Sequence, residues 1–124
     1  MKHLNETTFL DTIRTFIDNI GEKRFQEWGR YEERELECGT CLSGLYRCVF
    51  ILKERNFVMK LARKGIKDGE CGEQQLHLEL ENYRLAQESR LHNWFAKPLA
   101  FGDSPWGFWV AFEYVDNIGK TRKF

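Results

Sequence analysis

The stretch Phe57-Val58-Met59-Lys60-Leu61-Ala62 determines how the rest of the chain is interpreted. Its apolar residues predict a buried β-strand, which Lys60 interrupts with a charge. A lysine within a strand ordinarily lies at an edge or faces solvent. The functional alternative needs a carboxylate that holds the ammonium toward a phosphate. Glu79 is available for this, because it falls on the apolar face of a predicted helix beside Leu76 and Tyr83.

The segments on either side of this stretch complete an α+β pattern. Apolar residues at helical spacing predict helices, and short apolar runs between turn formers predict strands. In chain order, the patterns predict a helix at residues 8–20, strands at 31–38, 45–52 and 57–63, a helix at 72–91, and strands at 94–101 and 107–115. We therefore expect one compact domain with a five-stranded antiparallel sheet. Residues 1–30 form its N-terminal helix and connection, and residues 31–124 form its main body.

Turn formers separate the predicted elements. Gly21 follows the last apolar position of the first helix and is expected to end it. Asn56 closes the hairpin connection at residues 53–56 and tolerates a left-handed backbone. Gly39-Thr40-Cys41-Leu42-Ser43-Gly44 is expected to form a turn whose glycines let the backbone approach a phosphate, although glycines in hairpins usually serve the turn alone. Residues 102–107 predict the last turn.

Composition limits the classes of function. The chain has 124 residues, of which 42% are hydrophobic and 15% aromatic, enough for a single core. Nineteen Lys and Arg residues balance nineteen Asp and Glu residues, so no global field favours nucleic acid or an anionic membrane as a partner. The sequence contains no run of about 18 apolar residues and no secretory signal pattern. We therefore expect a cytoplasmic chain with reduced cysteines.

The cysteines do not predict a metal site. Cys38-x-x-Cys41 has the spacing of half a zinc site, but Cys48 and Cys71 do not supply a second pair. A redox pair would be expected to open a helix after a strand, whereas this pair lies in a predicted hairpin. We interpret the cysteines as small buried apolar residues and expect no metal.

In their order, these pieces resemble the N-terminal lobe of protein kinases over residues 31–117. The segment Gly39-x-Cys41-x-x-Gly44 is similar to the glycine-rich loop, with Cys41 in place of the middle glycine and Tyr46 where the family favours valine. Val58-Met59-Lys60 resembles the lysine motif of the third strand. Glu79 is similar in position to the glutamate of helix C, with Glu81 as the alternative if the helix register differs.

The segment from Phe108 to Val115 resembles the fifth strand and the hinge of that lobe, with Phe112 as its gatekeeper. The resemblance implies a nucleotide site formed by Gly39, Ser43, Gly44, Lys60, Glu79, Glu113 and Val115. No H-R-D or D-F-G motif is present, so the carboxylates that hold Mg²⁺ and accept the hydroxyl proton are not matched. We therefore assign no catalytic residue, expect no enzyme activity from the chain alone, and expect no cofactor beyond weakly bound ATP.

These observations lead to three hypotheses about function. The first is a non-catalytic kinase-N-lobe-like binding module, of phage or bacterial accessory type, that regulates or inhibits a partner protein. The second is the nucleotide-binding half of a split kinase, and the third is self-association. In a two-lobed kinase the inner sheet surface and hinge are covered, so here we expect them to be open to a partner. The candidate anchors are Trp94, Trp106, Trp109, Phe112 and Tyr114.

Overall fold

The computed structural model describes residues 6–36, 39–63, 70–88 and 96–114. In these ranges the fold is α+β, with two helices and six strands. The elements are α1 (Glu6–Glu22), β1 (Glu33–Leu36), β2 (Gly39–Ser43), β3 (Arg47–Leu52), β4 (Phe57–Ala62), α2 (Glu70–Ala86), β5 (Pro98–Ser104) and β6 (Gly107–Glu113). The strands form one antiparallel sheet in the order β1-β2-β3-β4-β6-β5. Neither helix is long and apolar enough to cross a membrane.

The sheet has six strands where five were expected, because the predicted turn at residues 39–44 is mostly strand β2. Cys41 and Ser43 are buried while Leu42 between them is exposed, which is the period-two pattern of a strand. The reversal follows β2, where the Gly44 N–H donates to the Arg47 carbonyl over 2.8 Å. The prediction placed both glycines in one turn because glycines are typical of turns. Only Gly44 lies at the reversal, whereas Gly39 begins β2.

The last hairpin is also tighter than predicted, since β5 continues to Ser104. The hydroxyl oxygen of Ser104 accepts hydrogen bonds from the N–H groups of Trp106 and Gly107 over 3.2 and 3.1 Å. This closes a turn at Pro105 and Trp106. The start predicted for this strand, residues 94 and 95, lies outside the described residues.

Both helices begin earlier than predicted, and Gly21 does not end the first one. Helix α1 runs one residue further, to Glu22, and a Cβ on Gly21 would lie 2.2 Å from the Trp106 ring. Gly21 is therefore a site of close packing between α1 and the last hairpin. Asn56 adopts the left-handed conformation predicted for it, with φ 61°.

A helix packs on each face of the sheet, and each face has its own core. β4 lies in the middle and is buried along its whole length, which explains its nearly continuous apolar sequence. Alternate side chains of β4 enter different cores. Phe57, Met59 and Leu61 of β4 lie on the α1 side. The core on that side comprises them together with Ile13, Phe16, Ile17, Ile20, Phe25, Phe50 and Trp109. Ala62 of β4 lies on the α2 side, in a core with Leu76, Ala96, Phe108, Val110 and Phe112.

Candidate functional site

Lys60 lies in the middle of the sheet, on the side that α2 covers. It is opposite Val49 of β3 and Val110 of β6 in the ladders on either side of β4. Its side chain is only 1% exposed. Lys60 therefore does not occupy the edge or solvent-facing position that is usual for a lysine in a strand.

Glu79 provides the counter-charge for this buried lysine. The Lys60 ammonium donates to Oε1 of Glu79 over 2.8 Å, and Arg47 donates to Oε2 over 2.9 Å. Glu81, the alternative partner, is exposed and binds Arg84 on the same helix. The register of α2 is thus the one that brings Glu79 to Lys60.

Gly72 sets how closely α2 approaches the sheet. A Cβ at this position would lie 2.3 Å from the backbone carbonyl oxygen of Tyr46, in the turn between β2 and β3. A backbone oxygen cannot move aside as a flexible side chain can, so only glycine fits this contact. The start of α2 is therefore held against that turn, which directs Glu79 toward β3 and β4.

The electrostatics of the cluster are dominated by burial. Burial lowers the pKa of Lys60, the Glu79 carboxylate partly opposes that shift, and the neighbouring Arg47 adds to it. The Phe112 ring centroid lies 5.0 Å from the ammonium and gives it a cation–π contact. Two cations share one carboxylate, so the cluster carries a net positive charge and favours an anion beside it.

Part of the same sheet face is not covered by the helix. Helix α2 packs mainly on β4 and β6. The register places Leu42 of β2 opposite Val49 of β3, and Ile51 lies on the same side two residues further along β3. Val49 and Ile51 are half-buried, and Leu42 is 41% exposed. We call Leu42, Val49 and Ile51 the open sheet surface, which borders the Lys60 cluster.

The predicted phosphate-binding residues do not come together. Gly39 pairs with Leu36 at the start of β2, whereas Gly44 follows the end of β2. Ser43 is opposite Cys48, so its side chain lies on the α1 side of the sheet, away from Lys60. An extended strand separates the glycines, so a cradle made by both is not present in the described residues.

The predicted hinge residues lie at the end of β6. The Glu113 N–H donates to the Lys97 carbonyl over 2.9 Å. The Lys97 N–H donates to Oε1 of Glu113 over 3.4 Å. The Tyr114 N–H donates to the Asn56 carbonyl over 3.1 Å, and its side chain is half-buried. Val115 lies outside the described residues.

The expectation that Phe112 would be uncovered is wrong. It is 3% exposed, because it packs in the α2-side core beside the Lys60 ammonium. Trp109 is 4% exposed in the α1-side core. Trp106 is half-buried against Gly21, and Trp94 lies outside the described residues. None of the described tryptophans is a freely exposed anchor.

Sequence reasoning missed Arg47 and the contact between Cys41 and Cys48. Arg47 lies on the face of Lys60, two residues before Val49, within the strand predicted at residues 45–52; alternation alone does not show which face of that strand packs toward Glu79. Cys41 and Cys48 are buried on neighbouring strands, as their interpretation as apolar residues implies. A hydrogen bond from Cys41 to Cys48 raises the pKa of Cys41 and lowers that of Cys48.

No group of three or more His, Cys, Asp or Glu side chains that could hold a metal ion occurs in the described ranges. Comparisons of the chain with protein-family models, with curated proteins and with solved structures found no match.

Proposed function

We propose that this chain is a non-catalytic, kinase-N-lobe-like binding module that regulates a partner protein through the open sheet surface. The observation that carries the proposal is the exposure of aliphatic side chains beside a tightly held ion cluster. Leu42 is 41% exposed although its neighbours on β3 are half-buried, so a partner that covers it would extend the α2-side core.

The ion cluster supports a binding role over a catalytic one. Both carboxylate oxygens of Glu79 accept hydrogen bonds from cations, one from Lys60 and one from Arg47. This leaves Glu79 as a fixed link between α2 and two strands. A rigid apolar surface with a charged border resembles the centre and rim of a protein interface.

The alternative is the nucleotide-binding half of a split kinase. The closed contact of 2.8 Å between Lys60 and Glu79 favours it, because this is the pair that the kinase resemblance implies for orienting a phosphate. The separation of Gly39 and Gly44 along β2 disfavours it. A cytoplasmic location and an origin in phage or bacterial accessory genes belong to both proposals and rest on the sequence alone.

The test is capture of a partner by the full chain from an extract of the source cells, with two matched variants. Leu42→Glu places a charge on the open sheet surface, whereas Leu85→Glu places one on the outer face of α2, where the leucine is 50% exposed. We expect wild type and Leu85→Glu to retain the same protein and Leu42→Glu to lose it. The proposal fails if wild type captures no protein, or if Leu42→Glu captures as much as wild type.

A further inference from the structure

Strand β1 is an edge of the sheet and carries two exposed carboxylates on one face. Among the described residues it pairs only with β2. Glu33 is opposite Leu42 and Glu35 is opposite Thr40, so both carboxylates lie on the face of the open sheet surface. The Thr40 hydroxyl donates to Glu35, but neither carboxylate forms an ion pair within the described residues. Two exposed anions on an edge strand favour a cationic partner.

The backbone of β1 has groups that a further strand can use. The Ser43 N–H donates to the Glu32 carbonyl over 2.8 Å, so the hydrogen-bonded pairs with β2 fall at residues 32, 34 and 36. In the alternation of an antiparallel ladder, the N–H and C=O groups of Glu33 and Glu35 then point away from β2. A charged edge resists most strands, but opposite charges across a ladder stabilise pairing.

A segment of opposite charge occurs in this chain's own sequence. It is Lys120-Thr121-Arg122-Lys123, which lies outside the described residues and which we call the basic segment. An extended backbone places Lys120 and Arg122 on one side, two residues apart, as β1 does with Glu33 and Glu35. In an antiparallel pair with Lys120 opposite Glu35, Arg122 is opposite Glu33. Both pairs then join opposite charges.

The remaining positions of that register are also compatible. Lys123 is opposite Glu32, and the uncharged Thr121 is opposite Arg34. Any shift of the register by one or two residues would set a basic side chain of the segment opposite Arg34 or Arg30. Like charges directly opposite one another destabilise a ladder. One register is therefore selected by charge.

We infer that the basic segment of one copy of this chain pairs antiparallel with β1 of a second copy. A strand added outside β1 lies five strand spacings, about 24 Å, across the sheet from β6. The six residues from Tyr114 to Lys120 span about 20 to 22 Å at full extension. The segment therefore falls short of β1 in its own chain, whereas a second copy is not limited in this way. The pairing does not depend on the proposed function.

Carbodiimide cross-linking of the full chain tests which copy supplies the segment. The reagent joins an amine to a carboxylate only where the two are in contact, and a mixture of isotope-labelled and unlabelled chains identifies the copy. We expect Lys120 to be joined to Glu35 and Lys123 to Glu32, in products that include pairs with only one labelled peptide. Cross-links confined to one isotope would show that the segment pairs within its own chain. That result, or the absence of these cross-links, overturns the inference.

Sedimentation equilibrium over a range of concentrations tests the acidic side of the contact. We expect wild type to associate, and the double variant Glu33→Lys, Glu35→Lys to associate about tenfold more weakly or less, because two attractions become repulsions. The control Asp18→Lys, Glu22→Lys makes the same change of charge on the exposed face of α1 and should associate like wild type. Thermal unfolding verifies that both variants are folded. A monomeric wild type, or equal weakening in the control, contradicts the pairing.

A charge exchange tests the register. The double variant Lys120→Glu, Arg122→Glu should self-associate as weakly as the Glu33→Lys, Glu35→Lys variant does. When the two variants are mixed, opposite charges meet again wherever the segment of one pairs with β1 of the other. The mixture should therefore form mixed dimers in preference to either homodimer. If the mixture does not recover association, the proposed register is wrong.

Discussion

At the scale of single residues, the chain maintains a charge in a place that ordinarily excludes one. A buried lysine is costly unless it is paired, and Lys60 is 1% exposed. The side chain of its partner Glu79 is 28% exposed and has a second cation in Arg47. The two members of the pair therefore differ in how much they depend on one another.

Substitution of the two partners should have unequal effects on stability. Lys60→Met replaces a buried ammonium with an apolar chain and leaves Glu79 with Arg47, so we expect a change within about 1 kcal/mol or a gain. Glu79→Gln removes the charge that compensates Lys60, so we expect a loss of about 2 to 3 kcal/mol. Urea unfolding measures both. Equal losses for the two variants would contradict this account.

The same pair predicts a pH dependence. Burial keeps the folded-state pKa of Lys60 below its ordinary value, so the unfolded chain binds this proton more tightly. The cost of the buried charge is then present below the folded pKa and is relieved as the pH rises through it. Without the Glu79 carboxylate the pKa falls further. In urea unfolding from about pH 7 to about pH 10, stability should therefore rise more in Glu79→Gln than in Lys60→Met.

At the scale of elements, close backbone contacts decide where α2 sits. Its sequence has the periodicity of an amphipathic helix, but that periodicity does not fix its position along the sheet. Gly72 does so by allowing the first turn to touch the carbonyl of Tyr46. The position of Glu79 over Lys60 follows from that contact.

Gly72→Ala should therefore destabilise the protein although alanine favours helices by about 1 kcal/mol over glycine. The added Cβ would lie 2.3 Å from a backbone oxygen, so α2 must shift, at a net cost of about 1 to 3 kcal/mol. Gln75→Ala, at an exposed position of the same helix, is the control and should cost less than about 0.5 kcal/mol. Thermal unfolding compares them. A stabilised Gly72→Ala variant would show that α2 does not make this contact.

At the scale of the whole molecule, helices on both faces leave β2 and β3 partly open beside Lys60. The surface offers aliphatic contacts and a positive charge, but its carboxylate already binds two cations. Among the described residues, no group of three or more side chains that could hold a metal ion lies on this surface. The exposed aliphatic side chains are the reason that we propose a protein partner for this surface.

We therefore expect no phosphate transfer and only weak nucleotide binding from this chain. With radiolabelled ATP, Mg²⁺ and generic protein substrates, the wild-type chain should transfer no more phosphate than the Lys60→Met variant does. Titration calorimetry with ATP and Mg²⁺ should give a dissociation constant weaker than micromolar. Incorporation that depends on Lys60, or micromolar binding lost in Lys60→Met, would instead favour the split-kinase alternative.

Periodicity in the sequence is enough to predict much of this molecule. It predicts the α+β class, the two helices, the buried strand around Lys60 and the helix face that carries Glu79, because side chains repeat with the period of the element that buries them. The left-handed Asn56 is predictable for a similar local reason, since few side chains tolerate that backbone conformation.

Other features depend on contacts between residues far apart in the chain, and local patterns do not encode those contacts. Strand β2 was not predicted, because the glycines at its two ends are typical of a turn. It is a strand because it pairs with β1 on one side and with β3 on the other. Arg47 joins Glu79, and Phe112 is buried beside Lys60, because α2 packs on that face of the sheet. Which residues of an amphipathic element meet a neighbour depends on how the elements dock, and here that docking rests on close contacts such as the one at Gly72.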